Sequence, residues 1–218
     1  MTAFPVTARN RLRRLPARGA YDKAAIYPII DEALICHVGF VEDGQPFVIP
    51  TIHARLDDTL FLHGARASRL LKYVQSGQPV CVTFTLLDGL VMARSVFHSS
   101  MNYRSAMVFG AGRVVEDVAE KLQALAIITE HVARGRWQEA RQPTTQELNA
   151  TAVAAVHIES ASAKTRSGPP VDDEADYDLP IWGGVLPLRQ QVLEPVADGR
   201  VKEGVAVPAS LRRYCQNG

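Results

Sequence analysis

Apolar residues recur along the chain at two different spacings. Ile26, Ile29, Ile30, Ala33 and Leu34 fall on one face of a 3.6-residue repeat, which predicts a helix over residues 22–34 with Asp22 as its N-cap. Pro28 lies inside that stretch, lacks an N–H and crowds the preceding turn, so a kink or a late start is expected there. From residue 35 the spacing changes. Runs 35–41, 45–55 and 59–63 are rich in β-branched and aromatic residues, broken first by Glu42, Asp43 and Gly44 and then by Asp57 and Asp58. An acidic residue followed by glycine between such runs is a hairpin signal, so these three read as an antiparallel meander.

A short helix over 68–74 follows, closed by Ser76 and Gly77. Run 79–87 is continuously apolar and β-branched, as expected of a central strand buried on both faces. Asp88 and Gly89 predict a second hairpin turn, with 90–97 returning. Runs 103–110 and 112–115 form another strand, in which Gly110 and Gly112 signal a bulge or a close backbone approach. Leu122, Leu125, Ala126, Ile128, Thr129 and Val132 mark a second amphipathic helix over 118–133, stopped by Gly135. A short helix over 145–150 and a last strand over 151–161 complete the pattern. Beyond Lys164, glycine, proline and acids predict loop, with Trp182 docked because an indole is rarely left in water. About seven strands with helices outside them make one mainly β barrel: a basic arm over 1–20, a barrel over 21–166, and a loop-rich extension over 167–218 packed on the barrel or on a partner chain.

Composition narrows the classes. A chain of 218 residues with 47% hydrophobic and 22% charged positions is ordinary globular material. Its net charge of +1 gives no reason to expect nucleic acid. The exception is local: Arg9, Arg11, Arg13, Arg14 and Arg18 are interrupted by no acid, and read first as a solvated arm, second as an arm against a partner or an anionic ligand. No signal-peptide core and no run of about 20 apolar residues is present, so no membrane is expected. Cys36, Cys81 and Cys215 form no CxxC pair, and a reduced, cytoplasmic protein is the expectation.

The six histidines (37, 53, 63, 98, 131 and 157) are scattered, so no metal site is expected. Rossmann, P-loop and nucleophile-elbow signatures are absent. One segment suits phosphate. A strand ends at His63, Gly64 frees the backbone, Ser68 stands at an N-cap, and Arg66, Arg69 and Lys72 supply cations beside unpaired helix N–H groups. The same residues also fit an ordinary capped helix with solvated bases. Residues 98–105, polar and set before an apolar strand, are a second candidate, with Arg104 aimed at a phosphate or the hydroxyls satisfying one another. His37 and His53 read as packed or surface imidazoles, and Lys164 and Arg166 as a solvated pair.

These same positions carry a family resemblance. Tyr21 and Asp22, residues 31–34, 37–40, 45–46, 49–51, 62–64, 68–69, 102–105 and 135–137, Lys164 and residues 182–187 together resemble the pyridoxamine 5′-phosphate oxidase-like FMN-binding split-barrel proteins, in the branch related to nitroimidazole-resistance proteins. The resemblance spans about residues 8–190. It implies a six- or seven-stranded antiparallel split β-barrel with flanking helices, and a homodimer with FMN at the subunit interface. Carried over, Ile49, Pro50 and Thr51 would line the isoalloxazine edge, and His63 and Gly64 would flank it. Ser68, Arg69 and Lys72 would hold the phosphate. Asn102, Tyr103 and Arg104 would complete the pocket, and Trp182 would close it from the partner chain. His63 matches the histidine of the proposed reduction site and is the catalytic candidate. The tail departs from the C-terminal pattern of the true pyridoxal-phosphate-forming oxidases, since Arg212 and Arg213 lack its context, so vitamin B6 synthesis is not expected. Two functions follow as expectations. One is an oxidoreductase passing electrons from NAD(P)H through FMN to a small acceptor, a nitro compound or quinone. The other is a module that stores or senses flavin or haem, with His63 or His98 as haem ligand.

Overall fold

The computed structural model describes residues 2–216. Eight strands pair antiparallel throughout: β1 (Gly19–Ala20), β2 (Ile35–Glu42), β3 (Gln45–Leu56), β4 (Thr59–Ala65), β5 (Pro79–Met92), β6 (Ser100–Val114), β7 (Thr151–Arg166) and β8 (Gly184–Pro187). Their order is β1-β7-β4-β3-β2-β5-β6, and β6 pairs in turn with β7, so the long strands β2 to β7 close a ring. The short ones extend edges: β1 continues beside β7 past the end of β4, and β8 beside β5 past the end of β2. Around the ring lie α1 (Lys23–Glu32), α2 (Arg69–Gln75), α3 (Val118–Val132), α4 (Arg136–Glu139), α5 (Thr145–Ala150) and α6 (Ala209–Gln216). The mainly β architecture with flanking helices is the one the hydrophobic pattern predicts.

Side-chain alternation divides two cores. On β4, Leu60 and Leu62 point inward with Ala154, Val156 and Ile158 of β7, where Ile26 and Ile30 of α1 and Leu71 and Val74 of α2 plug the ring. Phe61, Val153 and Ala155 point the other way and meet Ala124 and Ile128 of α3. Strands buried on both faces need no polar positions, which is why 152–156 reads as an unbroken apolar run. Each fully buried Leu or Ile contributes about 1.5–3 kcal/mol.

The local signals act as their chemistry demands. Asp43 (φ 51) and Gly44 (φ 75) both adopt positive φ, giving β2 and β3 the tight hairpin. Asp22, Ser68, Asp117 and Thr144 cap α1, α2, α3 and α5. Pro28 neither ends nor delays α1: Pro28 and Ala24 are both exposed, so water can satisfy the carbonyl that the missing N–H leaves free.

Elsewhere the structure differs from expectation. Asp88 and Gly89 do not turn the chain. β5 runs straight through them with a register shift between Leu87 and Gly89, and the turn comes at residues 93–99. Glycine is required there for another reason, since a Cβ on Gly89 would lie 3.0 Å from the Leu186 carbonyl oxygen of β8. The last strand continues to Arg166, and the tail carries β8 and α6 within its loops. α6 is anchored where Ser210 N donates to Glu139 Oε1 at 3.0 Å. The arm is pinned at two points, while Arg9, Arg11, Arg13 and Arg14 on it stay exposed to solvent. Phe4 enters the core, and Asn10, 2% exposed, donates from Nδ2 to the Pro5 and Ala161 carbonyls at 2.9 Å each. Cys36 and Cys81 are unpaired thiols, and burial pushes Cys36 up to about 12. The side chain of Cys215 lies outside the described residues.

Candidate functional site

The ladder between β3 and β4 stops at the pair His53 and Leu62. Past it, residues 45–52 of β3 pair only with β2, while residues 63–65 of β4 pair only with β7. Thr51 and His63 therefore stand on opposite sides of an opening in the ring. Ile49 and Thr51 are half-buried on its β3 side and Pro50 is exposed. Gly64 lets α2 close down, because a Cβ there would sit 3.2 Å from Leu71 Cδ2. The chain then passes to Ser68 and α2, so eight of the expected residues share one neighbourhood.

The electrostatics of that mouth are specific. His63 is half-buried, and its Nδ1 is buried with no partner. Burial holds its imidazole below the usual histidine range, which keeps it neutral. Ser68 Oγ accepts from Leu71 N at 3.5 Å and is thereby partly committed as a cap. The Arg69 guanidinium lies 4.5 Å from the Phe47 ring centroid and 3.2 Å from Glu42 Oε2. Lys72 is exposed and, among the described residues, forms no ion pair. Arg66 is turned away: its Nη1 donates to the Asn149 carbonyl at 3.1 Å, beside Lys121, whose Nζ donates to the Leu148 carbonyl at 2.6 Å. Both cations thus neutralise the carbonyl end of α5.

The other four expected residues lie far away. Gly64 pairs with Ala152 at the start of β7, whereas Tyr103 pairs with Arg166 at its end. Nearly the whole 16-residue strand separates them, a path of roughly 45 Å at ~3.3 Å per residue. Asn102 Nδ2 donates to the Gly168 carbonyl at 3.1 Å, and its Oδ1 accepts from Arg166. Arg104 donates to both oxygens of Asp88 and both of Glu32, so two carboxylates hold the guanidinium expected to face a phosphate. Trp182, expected to be docked, is 65% exposed and lies against Gly184. One chain does not bring the two groups into a single pocket.

Two arrangements escape sequence reasoning. Arg166 is 9% exposed rather than solvated. Asp172 accepts from the backbone N–H groups of Arg94 and Ser95, at 2.9 and 3.2 Å, and tethers the β5–β6 turn to the tail. No local signal marks a contact that spans 78 residues. Beside that turn, His98 Nε2 is 3.4 Å from Asp173 Oδ2. Among the described residues no group of His, Cys, Asp and Glu is placed to hold a metal ion, and no helix is long and apolar enough to cross a membrane.

A closed antiparallel ring with one ladder cut short, and with phosphate-type cations following the cut, is the form of a split barrel. The sequence profile described as pyridoxamine 5′-phosphate oxidase matches residues 22–165, and the chain belongs to that family. Among solved structures, the flavocytochrome Anf3 from Azotobacter vinelandii is 38% identical, with 95% of this chain and 97% of that one covered and a TM-score of 0.89. The FAD and haem binding protein from Mycobacterium smegmatis is 34% identical over 90% of this chain and 97% of that one, with a TM-score of 0.86. A candidate 5-nitroimidazole antibiotic resistance protein from Bacteroides thetaiotaomicron is 29% identical over 67% and 85%, with a TM-score of 0.58. None of the curated proteins matches the chain.

Proposed function

We propose that this protein is a flavocytochrome-type electron-transfer protein that binds a flavin and a haem, works as a homodimer, and passes electrons from NAD(P)H to a small acceptor. The observation that carries this reading is likeness along nearly the whole chain, at 38% and 34% identity, to a flavocytochrome and to a FAD- and haem-binding protein. The residues fit both groups. Arg69 and Lys72 suit a flavin phosphate beside Ser68, with Ile49, Pro50 and Thr51 along the ring edge. His63 offers what a haem ligand needs, a neutral imidazole whose buried Nδ1 has no partner. A flavin held there would supply two-electron acceptance with single-electron release, and a haem would supply one-electron transfer. The chain's own residues contribute position, charge and exclusion of water.

A second copy is part of the proposal. Ile35, Val41 and Val48 leave an apolar strip uncovered on the outer face of β2 and β3, with Val48 67% exposed. Pairing two chains across it covers the strip. In the dimer we propose, Tyr103 and Trp182 of one chain close the mouth of the other.

The purified protein is expected to show flavin bands together with a Soret band, the flavin bleaching on NADPH before the haem reduces. Ser68→Ala with Arg69→Ala lowers retained flavin at least tenfold without unfolding the chain, and His63→Ala removes the Soret band. Colourless protein sinks the reading. Flavin without a Soret band favours the second reading, an FMN-dependent reductase of nitro compounds or quinones with His63 beside the flavin, which the Bacteroides thetaiotaomicron likeness supports.

A further inference from the structure

We propose that the groove between the N-terminal arm and the outer face of β5, β6 and β7 is a second anion site, one that takes the adenosine diphosphate end of a dinucleotide. The cavity is about 580 Å³, and Arg11, Arg13, Arg14 and Lys164 line it with no carboxylate among its walls. The remaining arginine of the groove, Arg9, is neutralised by Glu159 at 3.0 Å. The other four cations have no ion pair among the described residues. Like charges held together repel one another, and an anion between them removes that cost.

The backbone that carries the first of these cations is also held in place. Asn10 pins the arm to the Ala161 carbonyl of β7, Arg11 N donates to the Thr7 carbonyl at 3.1 Å, and Leu12 N donates to the Tyr21 hydroxyl at 2.9 Å. Guanidiniums carried on a fixed backbone lose less entropy on binding than those of a free tail. Two residues beyond Lys164, the buried Arg166 bonds only neutral acceptors: Asn102 and the Gly168 and Pro169 carbonyls. Arg18 stands near it, and burial together with that second cation holds Arg166 below the usual guanidinium range. The positive field therefore continues past the groove.

Size and lining select the ligand. A single phosphate would fill only a small part of this volume. Two linked phosphates carry more of the charge that four unpaired cations call for, the hydroxyls of Thr85 and Ser162 add donors, and Leu12 and Met107 offer apolar surface to a base. The groove and the mouth at His63 lie toward opposite ends of β7, so the two are distinct within one chain, and only the FAD case below rests on the flavin reading. Its ligand has two sources, FAD or a nicotinamide dinucleotide.

The test is calorimetric titration of ADP and of adenosine into the purified full chain, before and after any flavin is released by chaotropic salt. The native sequence is compared with Arg11→Ala/Arg13→Ala/Arg14→Ala and, on the strand rather than the arm, with Lys164→Ala. ADP is expected to bind at least tenfold more tightly than adenosine, and the triple variant to weaken ADP at least tenfold. Lys164→Ala lowers it in the same direction, whereas Arg141→Ala, far from the groove, leaves it unchanged. If FAD is the source, the native chain releases FAD, takes ADP only afterwards, and the triple variant retains at least tenfold less FAD. If a nicotinamide dinucleotide is the source, ADP binds with flavin in place and flavin content is the same in all variants. Adenosine bound as tightly as ADP, or an ADP affinity indifferent to the three arginines, overturns the proposal. A chain without flavin that still loses ADP affinity in the triple variant refutes the flavin reading alone.

Discussion

The imidazole rings of His53 and His131 lie 4.8 Å apart, centroid to centroid, and each Nε2 is 2.9 Å from a carbonyl oxygen at the end of α1, Ile30 for His53 and Ala33 for His131. A carbonyl only accepts, so His53 carries its proton on Nε2 and leaves Nδ1 bare. That Nδ1 is buried with no partner. A second proton there would place a charge in the core beside another imidazole. Burial pushes the His53 pKa down to about 4 despite the bond to Ile30.

Stability should follow that depression. An unfolded histidine titrates near 6.5, so between roughly pH 6.5 and pH 4 the unfolded chain takes up a proton that the folded chain refuses. The contribution is fully present above the unfolded pKa and is lost as pH falls toward the folded one, about 3 kcal/mol in all. His53→Gln keeps a donor for the Ile30 carbonyl and removes the titration. Urea unfolding near pH 7 and near pH 4 is expected to show the difference between the two conditions shrinking by about that amount in the variant. The same pH slope in both proteins would rule His53 out as its source.

Gly110 should tolerate no side chain. It sits at the register shift between β6 and β7, where an added Cβ would lie 1.9 Å from the His157 carbonyl oxygen. Backbone cannot swing aside as the end of a side chain can, so Gly110→Ala must open the ladder that closes the ring. A loss of about 3 kcal/mol, or roughly 10 °C in Tm, is expected. A variant melting within a degree or two of the native protein would show that β6 and β7 do not approach this closely.

That glycine also shows what the sequence discloses. A close approach at Gly110 or Gly112 is legible because strand interiors otherwise exclude glycine, and the caps and the Asp43–Gly44 turn are legible because their chemistry is local. Asp88 and Gly89 mislead because a turn and a bulge draw on the same residues, and only the arrival of β8 decides between them. The mouth at Thr51 and His63 was readable as motif text, while the early end of its ladder was not. Trp182 lies outside any core of the single chain, so composition misjudges it. Arg104 shows most clearly what the sequence hides. Its partners Glu32 and Asp88 lie 72 and 16 residues away, so nothing nearby in sequence shows that its charge is already answered.

Arg104 supplies the last prediction, because its two readings diverge. As a phosphate ligand it would be needed for flavin, and Arg104→Ala would empty the protein of cofactor. In the structure its Nε and Nη2 are 3.0 and 2.8 Å from Asp88, and Glu32 at the end of α1 accepts from Nη1 and Nη2. These contacts tie α1 to the middle of β5, and the two carboxylates raise the guanidinium's proton affinity. The side chain is 35% exposed, so water and salt screen the pairs and the expected loss on Arg104→Ala is only about 1 kcal/mol. That loss should shrink in high salt, and flavin affinity should change less than twofold. Arg104→Lys should recover little, since an ammonium cannot span two carboxylates with a planar fork. Flavin lost from Arg104→Ala at unchanged stability would restore the ligand role, and it would mean that Glu32 and Asp88 release the guanidinium when the cofactor binds.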